Sequence, residues 1–188
     1  MADDKQVEIE MRAMFDGEKF NSLKKFLDEK AEYLGKDDKD VHFYIFPDKL
    51  LKITDNVSRE SAKLTLKLNR IGHGSDFEEI EFPIERADVG KAVIMFNSLG
   101  MTDNIIRSFQ SRHNYIYKGV ELALKYSPEW KHHLELEIVI GNRNQKTAAE
   151  QKIYDIAKEL GVKIMTEEEL QKFVKKVEAE KKKERESV

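Results

Sequence analysis

The sequence predicts an α+β protein built on an antiparallel sheet of seven or eight strands, arranged as a barrel or a sandwich with a few helices packed on it. Three observations predict this. Several stretches alternate apolar and polar residues with a period of two, the pattern of half-buried strands. The connections between them are short, as antiparallel neighbours allow. With 3 prolines and 9 glycines among 188 residues, few positions break regular structure.

Residues 6–15 set Val7, Ile9 and Met11 against Glu8, Glu10 and Arg12 and read as the first strand. Residues 18–34 carry Phe20, Leu23, Phe26, Leu27 and Leu34 near helical spacing, with Gly35 as the stop. The run KDDKD at 36–40 reads as a loop, and VHFYIF at 41–46 as a strand ending at Pro47-Asp48. KLLKIT at 49–54 follows after a tight turn. In residues 62–71, Leu64, Leu66 and Leu68 oppose Lys63, Thr65, Lys67 and Asn69, and GHGSD reads as a turn. Residues 77–84 set Ile80, Phe82 and Ile84 against Glu79 and Glu81. A second helix is expected over 86–99, stopped by Gly100. Two strands, 104–117 and 119–126, turn at Lys118-Gly119, and 132–140 place Leu134, Leu136, Ile138 and Ile140 opposite His133, Glu135 and Glu137. The texture is helical from about 144 to Leu160. After a short VKIM, Thr166 and three acids form a helix N-cap and acidic first turn, and that helix continues to Val177. Residues 1–178 read as one domain and the charged run 179–188 as a flexible tail.

Composition narrows the function. Charged residues at 37% and no apolar run near the ~20 residues of a span exclude a membrane-embedded chain. The N-terminal residues lack the order of a signal peptide, so a cytoplasmic location is expected. Absence of cysteine rules out disulfides, thiolate zinc sites and cysteine nucleophiles. A net charge of −3 argues against a nucleic-acid partner.

The polar faces carry the chemistry. They present Glu8, Glu10 and Arg12; Lys52 and Thr54; Lys63, Thr65 and Lys67; Glu79 and Glu81; Gln110 and Arg112; Glu121 and Lys125; and His133, Glu135 and Glu137. On an open sheet these charges would meet water and pair across strands. On the inside of a closed barrel they would form a lumen with acidic and basic clusters. Carboxylates at i and i+2 supply hard oxygen ligands for Mg²⁺ or Mn²⁺, and interleaved Lys and Arg would neutralise a polyanion. Trp130 reads as a rim or lid residue, and His132-His133 as a poor metal pair, since adjacent strand residues face opposite ways.

The Glu8-x-Glu10-x-Arg12 row resembles the Glu-x-Glu-x-Lys signature of the CYTH family, the triphosphate tunnel metalloenzymes. LLKIT resembles that family's Leu-Arg-x-Arg strand, AKLTLK its Leu-Thr-x-Lys strand, EEIEF its acidic strand, and FQSRHNY its later basic strand. The segment ending in Glu135-Leu136-Glu137 resembles its last Glu-x-Glu. The resemblance runs from about Val7 to Ile140. It implies a closed eight-stranded antiparallel tunnel with helices outside, a small-molecule triphosphate as ligand, and Mg²⁺ or Mn²⁺ as cofactor. It further implies Glu8, Glu10, Glu135 and Glu137 as metal ligands, and Arg12, Lys52, Lys67, Arg112 and Lys125 as phosphate ligands. Glu8, Glu10, Glu79 and Glu81 would be the catalytic carboxylates. Four positions depart from the pattern. Arg12 replaces a lysine, Thr54 an arginine, Gln110 a lysine, and Lys125 an aspartate. Three activities are consistent with this: triphosphate hydrolysis, class IV-type adenylyl cyclase chemistry, or polyphosphate sensing without catalysis. The chain is expected to act as a monomer or homodimer.

Overall fold

The computed structural model describes residues 7–69, 71 and 74–187. The chain alternates one strand and one helix at its start, β1 (Val7–Met14) and α1 (Gly17–Lys30). Six strands follow: β2 (Glu32–Lys36), β3 (Lys39–Ile45), β4 (Leu50–Asn56), β5 (Ser61–Lys67), β6 (Asp76–Phe77) and β7 (Glu79–Ile84). After α2 (Val89–Leu99) come β8 (Ile105–Tyr117), β9 (Val120–Ser127) and β10 (Lys131–Ile140), then α3 (Lys146–Glu159) and α4 (Glu167–Glu186).

Every pairing among the described strands is antiparallel, in the order β6-β1-β10-β9-β8-β3-β4-β5-β7, with β2 added on β8. The sheet curls into a half-barrel. Among the described residues no ladder joins the two ends of the path. Glu78 alone separates β6, paired with β1, from β7, paired with β5, so a short run of chain leads from one end of the path to the other.

The alternation places its apolar side on the convex face, against the helices. Val7 and Ile9 of β1, Leu122 and Leu124 of β9, and Leu134 and Leu136 of β10 pack on Leu23 and Leu27 of α1 and on Ile153 and Ile156 of α3. A second cluster sets Tyr44, Leu51, Ile53 and Leu64 under Ala92 of α2. Each such fully buried side chain contributes roughly 1.5–3 kcal/mol relative to exposure. The polar side of most strands is thereby left on the concave face, β3 being an exception in that Val41 and Phe43 line it.

Local chemistry explains the element ends. Asp16 caps α1 by accepting a hydrogen bond from the Lys19 amide at 2.8 Å. Thr166 and Glu169 cap α4 reciprocally, as the sequence predicts. Lys118 and Gly119 both have positive φ (51° and 72°), which a two-residue hairpin between β8 and β9 requires.

Four element bounds change. The helix read as running to Leu34 ends at Lys30, and residues 32–36 form β2 instead. Gly35, with φ 102°, serves a register shift in the β2–β8 ladder; a left-handed glycine fits a bulge as well as a helix stop. The run KDDKD is partly strand, since Lys39 and Asp40 open β3. The strand expected over 62–71 ends at Lys67; residue 70 and the turn residues 72 and 73 lie outside the described residues. The charged run after Val177 continues α4 in helical form to Glu186.

Candidate functional site

The concave face surrounds a cavity of about 590 Å³, within the ~300–1,000 Å³ typical of small-ligand sites. All the predicted site residues line it: Glu8, Glu10, Arg12, Lys52, Lys67, Glu79, Glu81, Arg112, Lys125, Glu135 and Glu137. The strand register makes this convergence possible. Glu10 stands opposite Glu137 and Arg12 opposite Glu135 across the β1–β10 ladder, and Lys67 stands opposite Glu79 across β5–β7. The idea that these charges meet open water fails for the central ones. Glu10 and Arg12 are 5% exposed, Lys67 4% and Lys125 5%.

At one end, carboxylates outnumber cations. Lys67 reaches Glu79 at 2.5 Å, Glu10 at 3.2 Å and Glu8 at 3.7 Å. Burial opposes the Lys67 charge, but these three carboxylates more than offset it and raise the ammonium above its ordinary value. Glu79 is held at about 2, against burial, by Lys52 and Lys67. Burial and the neighbouring Glu10 push Glu8 up to about 10. Burial, then Glu10 and Glu121, push Glu137 up to about 7. Lys52 is pushed down to about 8 by burial and by Lys67.

Toward the other end, the cations gain the upper hand. The Arg12 guanidinium bonds Glu10 through Nη2, and its Nε donates to Glu135 Oε1 at 3.2 Å. Lys125 Nζ donates to the second oxygen of Glu135 at 3.0 Å, and Arg112 Nη1 lies 3.9 Å from it. Against burial, Lys125, Arg12 and Arg112 hold Glu135 well below the usual carboxylate range. His133 shares this wall. Burial and the adjacent Lys125 push its ring down to about 3, so it is neutral, and its Nδ1 lies 3.1 Å from the Lys131 carbonyl oxygen.

A further group was missed in the sequence. Asp37, between β2 and β3, accepts from Asn56 at 2.5 Å and from Asn114 at 3.1 Å, and pairs with Lys39 at 2.7 Å and Arg59 at 3.1 Å. Arg112 Nε lies 3.5 Å from it and donates to Asn114 Oδ1 at 2.6 Å. Lys39, Arg59 and Asn114 also line the cavity. The signal that could have found Lys39 is its phase: it shares a face with Val41 and Phe43. Glu81 stands apart from the buried set, paired with Lys63 at 2.6 Å where both side chains are exposed. Thr54 and Gln110, where the resemblance expects cations, also line the cavity.

The donor set suits a divalent cation of the magnesium type. Burial, and then the neighbouring carboxylates, raise both Glu8 and Glu137, and a cation bound there would offset both effects. Among the described residues no three carboxylate or imidazole groups form a ready-made metal cage.

The family model of the CYTH domain matches residues 6–169. No curated protein matches the chain. The PH1012 protein of Pyrococcus horikoshii OT3 has a similar structure, with TM-score 0.68 and 24% identity over 83% of this chain and 91% of its own. A conserved hypothetical protein of Pyrococcus furiosus gives TM-score 0.68 and 27% identity over the same shares, 83% and 91%. HpAC1 of Hippeastrum, a candidate adenylyl cyclase described as having a dominant triphosphatase activity, gives TM-score 0.58 at 16% identity over 85% of this chain and 89% of its own. Among the described residues no helix is long and apolar enough to cross a membrane.

Proposed function

The chain belongs to the CYTH-domain family, and from that premise we propose that it binds and hydrolyses a triphosphate, inorganic or organic, with the help of Mg²⁺ or Mn²⁺. One observation carries this reading: buried cations and buried carboxylates line the same cavity, each set larger than the other can neutralise at its own end. Such an arrangement is costly to desolvate unless a ligand completes it. A triphosphate and a divalent cation would complete it together, and phosphoryl transfer depends mainly on positioning and charge stabilisation. The triphosphatase described for HpAC1 supports the same direction.

In this reading Glu8, Glu10, Glu135 and Glu137 would hold the cation. When bound, it would polarise a phosphoryl oxygen and template the substrate. Arg12, Lys52, Lys67, Arg112 and Lys125 take the phosphate oxygens, Arg12 and Arg112 through planar forks and the lysines as point charges. Glu79 and Glu81 hold Lys67 and Lys63 in place. A second reading, polyphosphate binding without turnover, is favoured by Lys125, whose ammonium occupies an oxygen of Glu135, one of the four metal-ligand candidates.

Purified protein with Mg²⁺ or Mn²⁺ should release phosphate or pyrophosphate from tripolyphosphate, thiamine triphosphate or ATP. Release of cyclic AMP from ATP would select cyclase chemistry. Tight tripolyphosphate binding without turnover would select the sensor, and neither binding nor turnover would refute the site. Glu10→Gln should abolish metal-dependent turnover, and Arg12→Ala should weaken triphosphate binding.

A further inference from the structure

Arg12 and Trp130 are linked in a way that the charge pattern alone does not predict. The Arg12 guanidinium carbon lies 5.6 Å from the centroid of the Trp130 ring. The ring also meets Phe173 of α4 edge-on, with centroids 4.9 Å apart, and His133 at 5.5 Å. Its backbone is fixed too: the Trp130 amide donates to Ser127 Oγ at 3.1 Å in the β9–β10 turn. The neighbouring Glu129 binds Lys181 of α4 at 3.1 Å and accepts from Ser108. The turn that carries Trp130 is therefore clamped between β8 and α4, and the indole is presented to the cavity it helps to line.

We propose that Trp130 is a positioning residue for Arg12, and that α4, through Phe173, is a working part of the anion site. This rests on the reading of Arg12 as a phosphate ligand. A guanidinium forms hydrogen bonds in its own plane and stacks on its face. Glu10 and Glu135 engage its N–H groups, and the guanidinium carbon lies over the ring of Trp130, the most favourable ring for a cation. Two carboxylates alone would fix the charge but leave the plane free to tilt. The ring removes that freedom, so the guanidinium is already oriented when an anion arrives. A lysine at position 12 would have no planar group to stack, which gives a physical reason for arginine in this chain.

Trp130 is the only tryptophan in the sequence, so its fluorescence reports on this contact directly. Tripolyphosphate is the probe, with binding measured by calorimetry and emission recorded in parallel. Wild-type emission should shift on titration, saturating with the calorimetric isotherm. Trp130→Leu should raise the Kd for tripolyphosphate by about three- to thirtyfold, the range of a partly buried cation–π contact. The same substitution in the Arg12→Lys protein should change the Kd by less than about twofold. Trp130→Tyr should recover much of the loss, because it keeps a ring. Phe173→Ala leaves the indole present and should shift its emission and weaken binding; it also serves where Trp130→Leu fails to fold. Equal losses from Trp130→Leu in the Arg12 and Arg12→Lys proteins would overturn the proposal while leaving the site reading intact. A wild-type protein that binds no tripolyphosphate would overturn the site reading itself.

Discussion

Lys67 Nζ of β5 lies 3.2 Å from Glu10 Oε2 of β1, although the two strands sit near opposite ends of the hydrogen-bonded path. Both residues line the cavity, and Lys67 also reaches Glu8 and Glu79 from the same position. It is the one cation in contact with all three of these carboxyl groups among the ion pairs described. Removing one partner from a buried ionic group typically costs about 3–5 kcal/mol, because the remaining charges are left uncompensated. Lys67→Met should lower the unfolding free energy by about that amount, measured by urea denaturation at neutral pH. The companion double variant Lys67→Met/Glu10→Gln should lose less than the sum of the single changes. Additive losses would show that the two residues do not interact.

Lys52 is held down to about 8 by burial and by Lys67, so its charge is lost early as the solution becomes alkaline. A lysine pushed down in this way is charged below about 8 and neutral above it. Anion binding that needs the charge must therefore weaken as pH rises, by up to tenfold per unit for one linked proton. Tripolyphosphate affinity measured at pH 7, 8 and 9 should fall more steeply for the wild type than for Lys52→Arg. The ligand's own titration is common to both proteins and cancels. Lys39, also pushed down to about 8, should leave a residual slope in the variant. Parallel slopes would mean that Lys52 does not hold the ligand.

Much of the site could be read in the sequence because period-two alternation determines which residues share a face. Glu8, Glu10 and Arg12, then Lys52, Lys67 and Glu79, then Arg112, Lys125, Glu135 and Glu137 all arrive on one wall. Alternation does not determine which face is concave. That followed from where α1, α2 and α3 bury the leucine faces, a tertiary outcome with no local signature. Asp37 and Lys39 were missed for a different reason. The run KDDKD carries no apolar residue of its own, so Lys39 could be placed only by extending the phase of Val41 and Phe43 back into it, and Asp37 lies before β3 begins. Gly35 misled because a left-handed backbone serves a bulge and a helix end equally.

Asp37 organises the cations at the far end of the cavity, with Lys39, Arg59 and Arg112 around one carboxylate. Against burial, the hydrogen bond and charge of Lys39 bring its carboxyl down to about 2, so it is ionised at any pH of interest. Asp37→Asn keeps the shape and most hydrogen-bonding capacity but removes the counter-charge. The variant should lose about 1–3 kcal/mol of stability, the cost of weakening hydrogen bonds to a charged group. Tripolyphosphate should restore more thermal stability to the variant than it adds to the wild type, because the anion supplies the missing negative charge. Thermal melting with and without tripolyphosphate tests this. An equal gain in both proteins would remove Asp37 from the site.

His133 gives the fold an acid limit. Burial and Lys125 push its ring down to about 3, with Arg12 adding to the repulsion and Glu135 opposing it. In the unfolded chain the same ring titrates near ~6.5. As pH falls below that value the unfolded state takes up a proton that the folded state refuses, so stability is complete above about 6.5 and is lost progressively toward 3. Between pH 6.5 and 5 this one residue accounts for about 2 kcal/mol. His133→Phe removes the titrating group and keeps a ring against Trp130. Its urea midpoint should therefore decline less between those pH values than that of the wild type, whatever its stability at pH 7. The same decline in both proteins would show that His133 is protonated within the fold, and that the wall shared by Lys125 and Glu135 is wetter than its burial indicates.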